Sequence, residues 1–115
     1  MTIFRYIPGA RYSEGVVASG MIYLSGQVPE HTDADATAQT ADVLAQIDRH
    51  LAELGSDKTR VLDATIFLAD LADYDAMNIA WDAWVAEGHA PARATVQARL
   101  ARPEWKVEIK IVAQR

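Results

Sequence analysis

Two stretches of this chain space their apolar side chains by three, four and three residues: Leu44, Ile47, Leu51 and Leu54, then Tyr74, Met77, Trp81 and Trp84. That rhythm lines each quartet along one face of an α-helix. A glycine follows each run, Gly55 and Gly88, and glycine is a natural helix stop. The first helix is expected to begin within residues 33–37, and the second near Asp70 or Asp73, either of which suits an N-cap. Two one-sided helices must bury their stripes against a common partner, and the remaining segments supply one. Thr2–Ile7 is rich in β-formers and stops at Pro8-Gly9. Residues 16–28 read as two strands around a tight turn at Ser19-Gly20. Val61–Leu68 has the length and alternation of a strand, and Ala92–Ala98 and Lys106–Ala113 flank a turn containing Arg102-Pro103-Glu104. The order is βββαβαββ, an α+β fold with two helices packed on one face of a sheet.

The strand patterns divide that sheet into two unlike faces, because successive side chains point to opposite sides. Val107, Ile109 and Ile111 alternate with Glu108 and Lys110. Leu62, Ala64, Ile66 and Leu68 alternate with Val61, Asp63, Thr65 and Phe67. Ala92, Ala94, Val96 and Ala98 alternate with Arg93, Thr95, Gln97 and Arg99. One face is apolar and suits the helices. The other mixes hydroxyls, amides and charges with Met21, Tyr23 and Phe67, more apolar bulk than a face meant only for water. A second copy of the chain is expected to cover it.

With 115 residues, the chain is expected to form a single domain over residues 1–115. Of its 50% hydrophobic residues, 21 are alanine, so the core is adequate without being generous. The absence of cysteine excludes disulfides, thiolate nucleophiles and iron–sulfur clusters. Neither a secretory leader nor a membrane span is expected, and a cytoplasmic location is. A net charge of −5 opposes general nucleic-acid binding. The charge is uneven, however: residues 91–115 carry six Lys and Arg against Glu104 and Glu108. Either a solvated terminus or a local site for a small anion fits that excess.

His31, His50 and His89 lack metal-ligand spacing, so no metal is expected. Ser25-Gly26-Gln27 lacks the frame of a hydrolase elbow, and no phosphate-binding glycine loop is present. Arg93 and Glu108 remain, both expected on the mixed face. An arginine fork can grip a carboxylate through two parallel hydrogen bonds, and a glutamate can orient water or exchange a proton. The pattern fits equally an ordinary cross-strand ion pair, contributing about 0.2–1 kcal/mol.

Several blocks together carry a resemblance: Tyr12-Ser13-Glu14-Gly15-Val16, Tyr23-Leu24-Ser25-Gly26-Gln27-Val28-Pro29, Asp63 to Asp70, Met77-Asn78, Pro91-Ala92-Arg93 and Val107 to Ala113. In this order, over nearly the whole chain, they resemble the Rid/YjgF family of reactive-intermediate deaminases, in particular its RutC-like bacterial branch. The resemblance implies a chorismate-mutase-like fold, a homotrimer with sites at the subunit boundaries, no cofactor, and small imine or enamine carboxylates as partners. It implies hydrolysis of 2-imino acids, such as 2-iminopropanoate from 2-aminoacrylate, to 2-oxo acids and ammonia. Position by position, Arg93 matches the arginine that holds the substrate carboxylate, and Glu108 the glutamate that handles the attacking water. Tyr12, Ser25 and Asn78 match pocket positions. Thr95 stands where many relatives carry cysteine, so no sulfur is needed there. Two other readings remain open: a non-catalytic, carboxylate-binding or chaperone-like trimer, and the RNA cleavage ascribed to some relatives, against which the acidic charge counts.

Overall fold

A computed structural model of the protein describes residues 2–115. Strands β1 (Ile3–Pro8), β2 (Ser13–Ala18), β3 (Met21–Leu24), β4 (Val61–Leu68), β5 (Ala92–Gln97) and β6 (Val107–Gln114) form one sheet in the order β1-β2-β3-β6-β4-β5. Helices α1 (Ala36–Glu53) and α2 (Tyr74–Trp84) pack together on one face. All strand pairs are antiparallel except β4 and β5, which run parallel. A parallel pair needs a crossover, and α2 provides it.

Local chemistry sets the boundaries. The β2–β3 turn puts Ser19 (φ 53°) and Gly20 (φ 75°) in the left-handed region, the combination whose twist matches an antiparallel hairpin. The Asp35 side chain accepts from the Ala38 N–H and caps α1. At the other end Gly55 (φ 79°) donates to the Ala52 carbonyl and Ser56 to that of Leu51, closing a Schellman motif. Helix α2 ends earlier than expected, at Trp84. The backbone turns extended at Val85 so that its side chain packs on the core, and Gly88 lies beyond the helix.

Ile22, Leu24, Ile66, Leu68, Ile109 and Ile111 from the sheet meet Val43, Leu44, Ile47, Leu51 and Met77 from the helices, all buried. Two expected face assignments are reversed. A register shift between Val61 and Asp63 turns Val61 into the core and leaves Leu62 half exposed; a bulge of this kind flips the side chains before it. In β5, Arg93 and Thr95 pair with Ala64 and Ile66, so they share the helix-covered face, while Ala94 and Val96 point to the open one. Tyr74, expected in the apolar stripe, is likewise partly exposed. The cause in both cases is α2, which presents polar partners to the edge strand.

Candidate functional site

Glu108 stands between the buried Val107 and Ile109 on β6, opposite Phe67 of β4, and therefore projects from the open face. Beside it runs the strip that continues β3. The Gln27 N–H donates to the Ile109 carbonyl at 2.8 Å and its carbonyl accepts from Ile109 at 3.0 Å. This bridge lays Ser25-Gly26 along β6. The Glu108 carboxylate then occupies the space a side chain at residue 26 would take: a Cβ built there would lie 2.0 Å from Glu108 Oε2. Only glycine admits this approach. Burial pushes the Glu108 carboxyl above its ordinary range. Tyr12, Ser25, Gly26, Val28, Ala101, Trp105 and Glu108 line an open cavity of about 350 Å³.

Trp105 and Ala101 come from the segment joining β5 to β6, and Gln39 of α1 fixes that segment. The buried Gln39 amide donates to the Glu104 carbonyl at 3.1 Å and accepts from the Lys106 N–H at 2.8 Å. The Arg102 guanidinium lies 5.8 Å from the Trp105 ring centre. Arg99 and Arg102 line an adjoining cavity of about 440 Å³ that shares Trp105, which is where part of the basic excess of the last 25 residues falls.

Arg93 is built differently. One guanidinium nitrogen donates to Asn78 Oδ1 at 2.8 Å and another to the Tyr74 hydroxyl at 3.3 Å. The group sits 5.1 Å from the Trp81 ring centre and 5.9 Å from that of Tyr74, so α2 fixes it through both hydrogen bonds and ring faces. An arginine offers five N–H donors, and these contacts leave enough for a two-toothed grip on a carboxylate. Among the described residues it has no ion-pair partner. Next to it, Thr95 Oγ1 is buried and has no hydrogen-bond partner among the described residues.

The sequence-derived set thus separates into two groups. Tyr12, Ser25 and Glu108 share one cavity on the open face. Asn78, Arg93 and Thr95 gather at the edge strand on the helix side. The expected juxtaposition of Arg93 and Glu108 on one face is corrected: β4 lies between their strands and the sheet lies between their side chains, so they form no cross-strand pair. Sequence reasoning missed Gly26, Trp105, Tyr74 and Gln39. Gly26 and Tyr74 were visible as residue types, but only the register shows what each one faces. Among the described residues no group of three or more His, Asp or Glu is arranged to hold a metal ion, and no helix is long and apolar enough to cross a membrane.

The family model described as Endoribonuclease L-PSP matches residues 4–115. The chain belongs to the YjgF/Rid family. The RutC family protein YoaB of Escherichia coli (strain K12) is 59% identical over 113 residues, 98% of both chains. A RutC family protein of Haemophilus influenzae is 52% identical over 114 residues, again 98% of both. Among solved structures, a YjgF protein family member from Neisseria meningitidis is 63% identical and superposes with a TM-score of 0.97, covering 100% of this chain and 96% of that one. The YjgF/Rid assignment therefore spans the sheet, both helices and both groups of site residues.

Proposed function

We propose that the protein hydrolyses reactive 2-imino acids, and the enamines that tautomerise to them, to 2-oxo acids and ammonia in the cytoplasm. The observation that carries this reading is the Glu108 carboxyl, held against Gly26 beside Ser25 and Tyr12 and raised in pKa by burial. A carboxyl raised above its ordinary range by burial can both take and return a proton. In the proposed reaction Arg93 grips the substrate carboxylate and Glu108 accepts a proton from water as its oxygen bonds to the imine carbon. The carbon–nitrogen π pair moves to nitrogen, which takes that proton from Glu108 to give the aminoalcohol. Glu108 then takes the hydroxyl proton and passes it to the amine nitrogen as the carbonyl reforms, the carbon–nitrogen bond breaks with its pair on nitrogen, and ammonia leaves. An imine carbon is already electrophilic, so positioning a water about 3–3.5 Å away supplies most of what is needed.

Because Arg93 and Glu108 stand on opposite faces of one sheet, the complete site is proposed to form between protomers of a homotrimer, of about 38 kDa from a 12.6 kDa chain. The open face carries the half-exposed Tyr23 and Val96, suited to being covered by another copy. The test is a coupled assay in which an amino-acid oxidase generates the imine and semicarbazide traps what survives. Wild type should deplete the trapped imine, and Arg93→Ala and Glu108→Gln should not. Mixed and re-associated, the two variants should regain about one competent site in four by random assortment. No depletion by wild type across several precursors would sink the reading. The description of the matching family model raises RNA cleavage as a second reading. Salt-dependent RNA binding and cleavage, with no imine turnover, would favour it over the deaminase.

A further inference from the structure

Glu14 lies behind the Glu108 cavity and has no part in the proposed reaction. Its Oε1 accepts from the Ser25 hydroxyl at 3.3 Å and from the Gln27 amide at 2.9 Å, and its backbone carbonyl accepts from the Ser25 N–H at 2.9 Å. On its far side lies His50, with Nε2 3.9 Å away. A carboxylate can only accept, so both donors of Ser25 are committed to Glu14. The Ser25 carbonyl takes the Gln27 amide at 3.0 Å, and the same amide reaches Ser25 Oγ only at 3.4 Å. Ser25 lines the cavity, and with its hydroxyl proton and its N–H engaged by Glu14 it has no proton left to donate there.

We infer that Glu14 is a positioning residue that fixes Ser25 as a hydrogen-bond acceptor, so that the site selects carboxylates bearing an N–H donor on the adjacent carbon over those bearing a carbonyl there. The inference rests on the deaminase reading for the placement of the ligand, and it deepens it. A 2-imino acid carries an N–H at that carbon in either protonation state, and Ser25 Oγ accepts it. The 2-oxo product puts lone pairs at the same place, against the lone pairs of Ser25, so hydrolysis converts a favourable contact into an unfavourable one and product leaves. Unpaired or opposed polar groups in a partly desolvated cavity discriminate more strongly than apolar fit does.

The test is a binding ratio, read by calorimetry on the assembled protein with alanine and pyruvate, which share a carbon skeleton and differ in donor against acceptor at the second carbon. Wild type is expected to prefer alanine about tenfold. Ser25→Ala and Glu14→Ala should bring the ratio close to one, the first leaving Gln27 its closer acceptors, Glu14 Oε1 and the carbonyl of residue 25. Glu14→Gln, whose amide oxygen still accepts from the hydroxyl, should recover most of the preference. A merely structural role for Glu14 would lower both affinities together and leave the ratio unchanged. An unchanged ratio in Ser25→Ala and Glu14→Ala overturns the inference, and so does wild type that binds neither ligand. Imine turnover judges the deaminase reading separately. No turnover, with a ratio that still collapses in the variants, would refute that reading and support this inference.

Discussion

Replacing Gly26 by alanine tests the geometry around Glu108 more directly than removing Glu108 does. Gly26 is not among the glycines with positive φ, so alanine brings no backbone strain. The added Cβ would lie 2.0 Å from Glu108 Oε2, 2.9 Å from its Cδ and 3.2 Å from its Cγ. Reaching the 3.4 Å at which ordinary contact begins requires the carboxylate oxygen to retreat by about 1.4 Å. That oxygen ends a flexible side chain on the open face, so the side chain yields and the backbone bridge between Gln27 and Ile109 holds. The stability change should stay within about 0.5 kcal/mol. Activity is another matter, because a misplacement of about 1 Å can cost about a hundredfold. A hundredfold loss in kcat/KM corresponds to about 2.7 kcal/mol of transition-state stabilisation. The assay is imine depletion in parallel with a thermal melt, on wild type and Gly26→Ala. Full turnover by the variant would refute the argument. So would activity lost together with the fold, since the strip and not Glu108 would then have given way.

Arg93→Lys keeps the charge but loses the fork and the guanidinium contact over the Trp81 ring, so kcat/KM should fall at least about tenfold, in the same imine assay, with the assembly unchanged by sedimentation. Burial raises the Glu108 carboxyl, so the folded protein holds a proton that the unfolded chain has released; that stabilisation is complete at low pH and is lost as pH rises through the raised value. Melts of Glu108→Gln should accordingly gain on wild type as pH goes from about 4 to about 7. Tyr6 is raised to about 12 by burial and by its hydrogen bond to Glu53; its contribution disappears between the ordinary value of 10.0 and that figure, so alkaline melts should fall more steeply in wild type than in Tyr6→Phe.

How far the sequence could be read depended on whether a pattern was local. The α1 stripe, the Met77, Trp81 and Trp84 part of the α2 stripe, the glycine stop at Gly55 and the turn at Ser19-Gly20 depend on a few neighbouring residues, and each lies where its pattern implies. Face assignments in β4 and β5 depend on register and on what packs above, which no window of sequence contains. One shift at Val61 reverses two side chains. In β5 the small residues Ala92, Ala94 and Val96 look like a core stripe, yet α2 offers Asn78 and Tyr74 above that strand and draws Arg93 to its side. The residue types of the candidate site were thus legible in the sequence, but their partition between two faces was not. Gly26 shows the limit most clearly, since its role depends on Glu108, 82 positions later in the chain.

That partition constrains any assembly in which the proposed site is completed. If two copies met about a two-fold axis, one patch would have to contain both Arg93 and Glu108, because a two-fold contact pairs a surface with itself. No flat patch holds both, since the sheet lies between their side chains and β4 between their strands. In the proposed site Arg93 of one copy instead reaches Glu108 of another through two different surfaces, the edge at β5 against the open face beside β6. Contacts between unlike surfaces repeat from copy to copy, and they terminate only when the rotation closes a ring. The proposed homotrimer is such a closed ring, with one site at each boundary. In such a ring no protomer can hold a complete site alone. Dilution to monomers should then abolish turnover while each chain stays folded, whereas activity retained by a folded monomer would show that Arg93 and Glu108 do not act together.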